Sequence, residues 1–280
     1  MLEVTLTYVI GFILLAFVCE YVDSTLGMGY GTTLTPLLLI MGYNPLQVVP
    51  VVLISELLSG LLASMLHHRE GNVNLKPKTF NLRVITRQLR RIGIKESLRR
   101  GLPRHLKVAL LLAFCSIIGT IAAVFLAVNL PKFWLKLYIG AIVFSMGVTI
   151  LVCFKKEFKF SWLKIIGLGS LASFNKGISG GGYGPVVTGG QILSGVEGKS
   201  AVGITSLAEG LTCAVGIMSY ILIAQKPLDL TLAPYITVGA ILSVPFSAKS
   251  VKLFSEKNLK AAIAVLTIIL GLWTIIKTIS

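Results

Sequence analysis

Long apolar runs separated by short charged turns make up most of the chain. Leu6–Val22, Pro45–Leu66, Val108–Leu130, Leu135–Phe154, Ala201–Ala224, Leu230–Val244 and Leu259–Thr278 carry few charges. Most of them meet the roughly 20 residues a helix needs to span a hydrocarbon core. Lipid offers no hydrogen bonds to an open strand, so helix is the backbone these runs predict. A β-barrel would alternate polar and apolar positions, and LLAFCSIIGTIAAVFLAV does not alternate. Two further apolar segments, Leu6–Tyr43 and Trp162–Leu193, are interrupted by glycines. Each predicts a helix that breaks and resumes.

Composition agrees with a membrane setting. The 280 residues are 55% hydrophobic and only 13% charged, with a mean hydropathy of +0.86, whereas soluble domains carry about 25% charge. The first cation is Arg69, so no basic region precedes the opening apolar run as a secretory signal would require. Cys19, Cys115, Cys153 and Cys213 lie inside apolar stretches without metal-ligand spacing and read as packing residues.

The net charge of +15 raises nucleic acid as a partner, but its placement excludes that class. The segment His67–Lys107 holds 12 of the 26 Lys and Arg residues and two acids, Glu70 and Glu96. A basic cluster between spanning helices marks a cytoplasmic loop. Within it Leu82, Ile85, Leu89 and Ile92 recur at helical spacing, which predicts a short helix on anionic lipid, and no aromatic residue interleaves them. With loop 67–107 inside, the lysines after Phe154 and after Val244 also fall inside. The bias holds only if the two interrupted segments, 6–43 and 162–194, dip into the membrane and return. The N-terminus is then outside.

A shift of 153 residues lays the first half on the second without a gap. Gly27, Gly29, Tyr30 and Gly31 fall on Gly180, Gly182, Tyr183 and Gly184, Thr35 on Thr188, and Glu56 on Glu209; nine of 34 positions from Gly27 to Gly60 are identical. Each half, 1–154 and 155–280, then holds one re-entrant hairpin and three crossings. Three is odd, so the predicted fold is an all-α integral membrane protein of two inverted-topology repeats, a transporter architecture.

The chemistry sits at the breaks. Gly27, Gly29 and Gly31 in one half and Gly180, Gly181, Gly182 and Gly184 in the other allow sharp turns. The resuming helices should begin near Thr32 and Pro185, pointing free N–H groups and partial positive charge into the interior, where they can hold an anion. Ser24, Thr25, Thr32, Thr33, Asn175 and Ser179 supply polar side chains, and Lys176 a full charge. Close helix packing is the alternative role for the glycines, and bonding to their own helix carbonyls for the hydroxyls. Asp23 and Lys176 occupy equivalent positions; they either pair across the two-fold axis, or Asp23 lies wet near the outer face. Glu56 and Glu209 suit either proton coupling or a structural brace.

Two look-alikes fail. Gly177-Ile-Ser-Gly180 imitates an intramembrane serine protease motif, but the three histidines lie in or beside the basic loop, leaving no base. The glycine runs imitate dinucleotide loops without a βαβ unit. No nucleophile–base pair or metal cluster is expected, so the chain reads as no enzyme, with no cofactor.

At Glu20-Tyr-Val-Asp23 with STLGMGYGTTLTPLLLIMG, and at Phe174-Asn-Lys-Gly-Ile-Ser-Gly-Gly-Gly-Tyr-Gly184, the chain resembles the TauE/SafE family. The resemblance implies a transporter of sulfite or organosulfonates in the cytoplasmic membrane of a prokaryote, with a homo-oligomer possible. No Walker motif is present. Alternating-access export of a sulfur oxyanion is the expected function, with an anion channel or a scaffold docking a partner through the basic loop as the alternatives.

Overall fold

A computed structural model describes residues 6–77, 101–152, 162–193, 196–224, 227–251 and 256–280. The amphipathic helix expected at 82–92, with most of the lipid-binding loop, lies outside them. The described residues form ten helices and no strand: α1 Leu6–Leu26, α2 Tyr30–Ile40, α3 Pro45–Arg69, α4 Arg104–Asn129, α5 Lys132–Val152, α6 Trp162–Ser179, α7 Tyr183–Leu193, α8 Gly198–Ile223, α9 Ala233–Ser250 and α10 Glu256–Ile279. Five of the described helices are long and apolar enough to cross a membrane, α1 among them with 21 residues. The protein is thus an all-α, multi-pass membrane protein.

Helix boundaries recur at the offset seen in the sequence. The ends of α1 and α6, both ends of α2 and α7, and the starts of α3 and α8 each differ by 153 residues. The resuming helices α2 and α7 begin at Tyr30 and Tyr183, two residues earlier than expected at Thr32 and Pro185. The reason is that Gly29 and Gly182 take positive φ and complete the turn immediately before the helix. Pro185 becomes the third helical residue, where a missing N–H still costs no intrahelical bond.

The surface is apolar, unlike that of a water-soluble protein, and several charged and amide side chains are buried beside an apolar core. Phe114, Ile118, Phe125, Leu222, Phe246 and Trp273 are exposed, while Glu20, Glu56, Lys176, Glu209, Asn175 and Gln191 are buried. An apolar face of that extent needs lipid against it. Since lipid tails are as apolar as the helices, association depends on close packing of small residues. Gly119 on α4 admits the Ser170 carbonyl of α6, 2.6 Å from where a Cβ would stand, and Gly239 on α9 similarly admits the Ile13 carbonyl of α1.

The residue pairs at these contacts give helix directions. Moving along α3 from Leu53 through Gly60 to His67, the facing residues on α8 run backwards, Gly216, Gly210, Gly203, so the two helices are antiparallel. Along α4 and α6 the pairs Leu112–Gly169, Gly119–Ser170 and Ala123–Gly177 advance together, so that pair is parallel. Apolar residues from both halves share one core, with Leu34, Val52, Leu53, Ile139, Ile178, Cys213 and Tyr220 among them. The antiparallel pair α3 and α8 crosses near its middle, and the two interrupted segments meet there.

Candidate functional site

The seven glycines divide into two sets by physical role. Gly27 (φ 69°), Gly29 (φ 132°), Gly180 (φ 71°) and Gly182 (φ 78°) are in backbone conformations that disfavour a side chain. Gly31, Gly181 and Gly184 are required by proximity instead. A Cβ on Gly31 would overlap the Gly180 carbonyl, one on Gly184 the Gly27 carbonyl, and one on Gly181 would stand 2.7 Å from the Thr32 nitrogen. The tips of the two interrupted segments are therefore seated main chain against main chain. Thr188 reinforces the contact by donating to the Gly27 carbonyl at 2.7 Å. In this conformation no anion fits between them.

The hydroxyls are mostly turned to local partners. Ser24 donates to Glu20 Oε1 (2.6 Å), Thr25 to the Tyr21 carbonyl (2.6 Å) and Thr32 to the Gly29 carbonyl (3.2 Å). Ser179 donates to the Asn175 carbonyl (2.6 Å) and accepts from Gly181 N–H (3.1 Å), which fixes the second turn. Asn175 Oδ1 accepts from Tyr138 at 3.5 Å. Thr33 is buried, and Thr35, also buried, has no partner for its hydroxyl.

Beside the glycines lies a buried charged cluster. Lys176 Nζ donates to Glu209 Oε1 at 2.8 Å and forms a second ion pair with Glu56. The lysine is fully buried and both glutamates nearly so. Glu56 and Glu209 come from the middles of α3 and α8, which the antiparallel crossing brings face to face. Asp23 Oδ1 accepts the Tyr30 N–H at 3.1 Å, capping the first turn of α2. The expected pairing of Asp23 with Lys176 is replaced by this cap, and Asp23 is buried rather than wet. Lys176 is accordingly held by two carboxylates and is not a free anion-binding charge. Asp23, Glu56 and Glu209 each bring a carboxylate oxygen within 4.8 Å of the others. The Lys176 ammonium already pairs with two of them and supplies positive charge at that place.

Several contributors were not picked out from the sequence. Glu20 is buried, one helical turn before Ser24 on the same face; a second acid in an otherwise uncharged apolar run was the signal. Tyr30, fully buried, shares a 2.6 Å hydrogen bond with Ser55. His67, assigned to the basic loop, is instead fully buried. Its Nε2 donates to the Ser24 carbonyl at 2.8 Å, and its Nδ1 meets Asn72 Nδ2 at 3.0 Å. Asn72 also donates to the Ala248 carbonyl. This latch ties the tip of α1 to the ends of α3 and α9. Beside it, Thr25, Leu26, Glu197, Gly198, Lys199, Val202 and Val251 line a recess of about 250 Å³. Val202 also touches Gly27, so the recess reaches the first glycine turn.

The comparisons with known proteins bear on this arrangement. The chain is 23% identical over 278 residues to a protein of Bacillus subtilis (strain 168) described as "Probable membrane transporter protein YtnM", covering 95% of this chain and 82% of that protein. No solved structure matches. Residues 12–80 and 93–274 match the family described as "Sulfite exporter TauE/SafE". With both glycine turns and the charged cluster inside the matched residues, the chain belongs to the TauE/SafE family of membrane transporters, not enzymes.

Proposed function

We propose that this protein is a secondary transporter that exports a small sulfur-containing anion, such as sulfite or an organosulfonate, by alternating access. The observation that carries the reading is the direct apposition of two glycine turns from interrupted helices, beside the crossing of α3 and α8. The family description supports a sulfur oxyanion as the cargo. The antiparallel course of α3 and α8, which occupy equivalent places in the two halves, supports inverted repeats with re-entrant hairpins at 6–43 and 162–194. On that reading the N-terminus is outside and the segment 67–107 is cytoplasmic.

Transport then requires the tips to part. Separation uncovers the N–H groups at the starts of α2 and α7, whose partial positive charge suits an oxyanion. Ser24, Thr25, Thr32, Thr33, Asn175 and Ser179 lie near those starts, and the acceptors that now take the Ser24, Thr25, Thr32 and Ser179 hydroxyl protons are ones an anion's oxygens can replace. An inside-negative potential drives an anion outward at about 2.3 kcal/mol per charge per 100 mV. The recess lined by Lys199 and Thr25 is the approach to the first tip.

The test is charge displacement by proteoliposomes on a solid-supported membrane, challenged with sulfite, sulfate, thiosulfate, short sulfonates and chloride. A saturable current confined to sulfur oxyanions, and weakened in Asn175→Ala and Thr32→Val, is expected. Counterflow of labelled sulfite distinguishes this carrier from a channel. Absence of current with every sulfur anion would overturn the proposed cargo.

A further inference from the structure

The charges in the buried cluster do not balance. Glu20, Asp23, Glu56 and Glu209 are four carboxyls, each at most 9% exposed, and among the described residues Lys176 is the one ammonium with them. That ammonium is used by Glu56 and Glu209. Among the described residues no second cation pairs with Glu20 or Asp23; Glu20 bonds Ser24 and Asp23 bonds the Tyr30 N–H. Among the described residues the other titratable groups facing the cluster are Cys19, Tyr30, Tyr183 and Cys213, which are neutral when protonated and cannot offset the excess. Fully ionised, the cluster would hold three uncompensated negative charges in a medium that solvates none of them.

Unpartnered atoms show where the compensation goes. Glu20 Oε2 and Glu56 Oε1 are buried carboxylate oxygens with no hydrogen-bond partner. The fully buried Ser59 hydroxyl lies beside the Glu20 carboxyl. That hydroxyl can donate to an ionised Glu20 or accept from a protonated one, so it is the excess of buried negative charge that calls for a proton. A sodium ion would need a shell of several oxygens and would stand against the Lys176 ammonium, whereas a proton needs one oxygen and no space.

Resting on the transporter reading above, we infer that Glu20, Asp23, Glu56, Glu209 and Lys176 form an exchangeable proton store, loaded in the closed state and able to trade protons with bulk water. Each loading step adds one proton to one carboxylate and removes one negative charge; each release reverses it. A proton on Glu56 or Glu209 frees one of the two bonds that hold Lys176. The store therefore sets whether that ammonium faces its glutamates or an incoming anion, which makes protons the coupling ion.

The test is infrared difference spectroscopy of the full-length protein in lipid nanodiscs, in sodium-free buffer at neutral pH. The carbonyl band of protonated carboxyl groups is expected in the wild type, and transfer to D2O should shift it within minutes. Glu20→Gln should remove part of the band, while the wild-type exchange needs no variant to be informative. Lack of a protonated carboxyl band would overturn the inference. So would a band that never exchanges with deuterium, which marks a sealed structural acid. Loss of the band on adding sodium at constant pH would assign the site to sodium instead. Should the band behave as expected while sulfite gives no current, the proton store stands and the sulfur-anion reading falls.

Discussion

Replacing Gly31 with alanine probes the contact between the two glycine turns more directly than any change of charge. Gly31 has an ordinary helical backbone, so alanine meets no conformational penalty and gains about 1 kcal/mol in helix propensity. The added Cβ, however, overlaps the Gly180 carbonyl and lies within 2.9 Å of the Gly181 Cα. Both obstacles are main chain, held by the positive-φ turn at Gly180 and by the Ser179 bonds, so neither rotates away. Overpacking a fixed site costs about 1–3 kcal/mol and occasionally more, and the upper end applies here. Gly11, on the exposed side of α1, has nothing within 4 Å of its Cβ position and provides the control. Gly31→Ala should therefore fall about 3 kcal/mol below Gly11→Ala, roughly 6–12 °C in unfolding midpoint for a chain near this size. Intrinsic fluorescence during thermal unfolding in detergent reads the difference. Gly184→Ala, which meets the Gly27 carbonyl, should behave as Gly31→Ala does. Equal midpoints for Gly31→Ala and Gly11→Ala would refute the apposed turns.

Other substitutions test neighbouring parts of the site. Lys176→Met leaves Glu56 and Glu209 buried without a cation and should cost about 3–5 kcal/mol, seen as loss of monodisperse protein on size exclusion; adding Glu56→Gln and Glu209→Gln should restore it. Tyr30→Phe strands the buried Ser55 hydroxyl and should cost about 1–3 kcal/mol. Tyr183→Phe removes a buried hydroxyl that has no partner and should be neutral or stabilising in the same thermal assay. His67→Phe breaks the latch to the Ser24 carbonyl, so a cysteine placed at Thr25 should react faster with a membrane-impermeant maleimide than it does with His67 intact.

The fold was legible largely because lipid removes alternatives. Long uncharged runs predict helices, and the 153-residue register recurs in the boundaries of α1 to α3 and α6 to α8. The glycines were legible as breaks, but not the division between those that need positive φ and those that need proximity. Proximity depends on the other half of the chain, which no local pattern encodes. Lys176 and both glutamates stood out as charges in apolar runs, yet their mutual pairing was not readable. Equivalence in the repeat pointed Lys176 towards Asp23, whereas the crossing of α3 and α8 delivers Glu56 and Glu209 to it. Glu20 was passed over because its equivalent, Ser173, carries no charge. His67 was grouped with the basic loop by its neighbours in sequence, while its side chain turns inward to Ser24.

Thr35 and Thr188 have a consequence that neither shows alone. They are equivalent in the repeat, yet Thr188 bonds Gly27 across the interface while the hydroxyl of Thr35 has no partner. The same holds for Tyr30, bonded to Ser55, and Tyr183, which finds Ala208 where its mate finds a serine. If the halves exchange roles during transport, the two end states of the cycle are not isoenergetic. One hydrogen bond of about 1 kcal/mol corresponds to roughly a fivefold population ratio. An idle molecule would then wait facing one side of the membrane, and the duplicated scaffold would behave as a biased switch rather than a symmetric one.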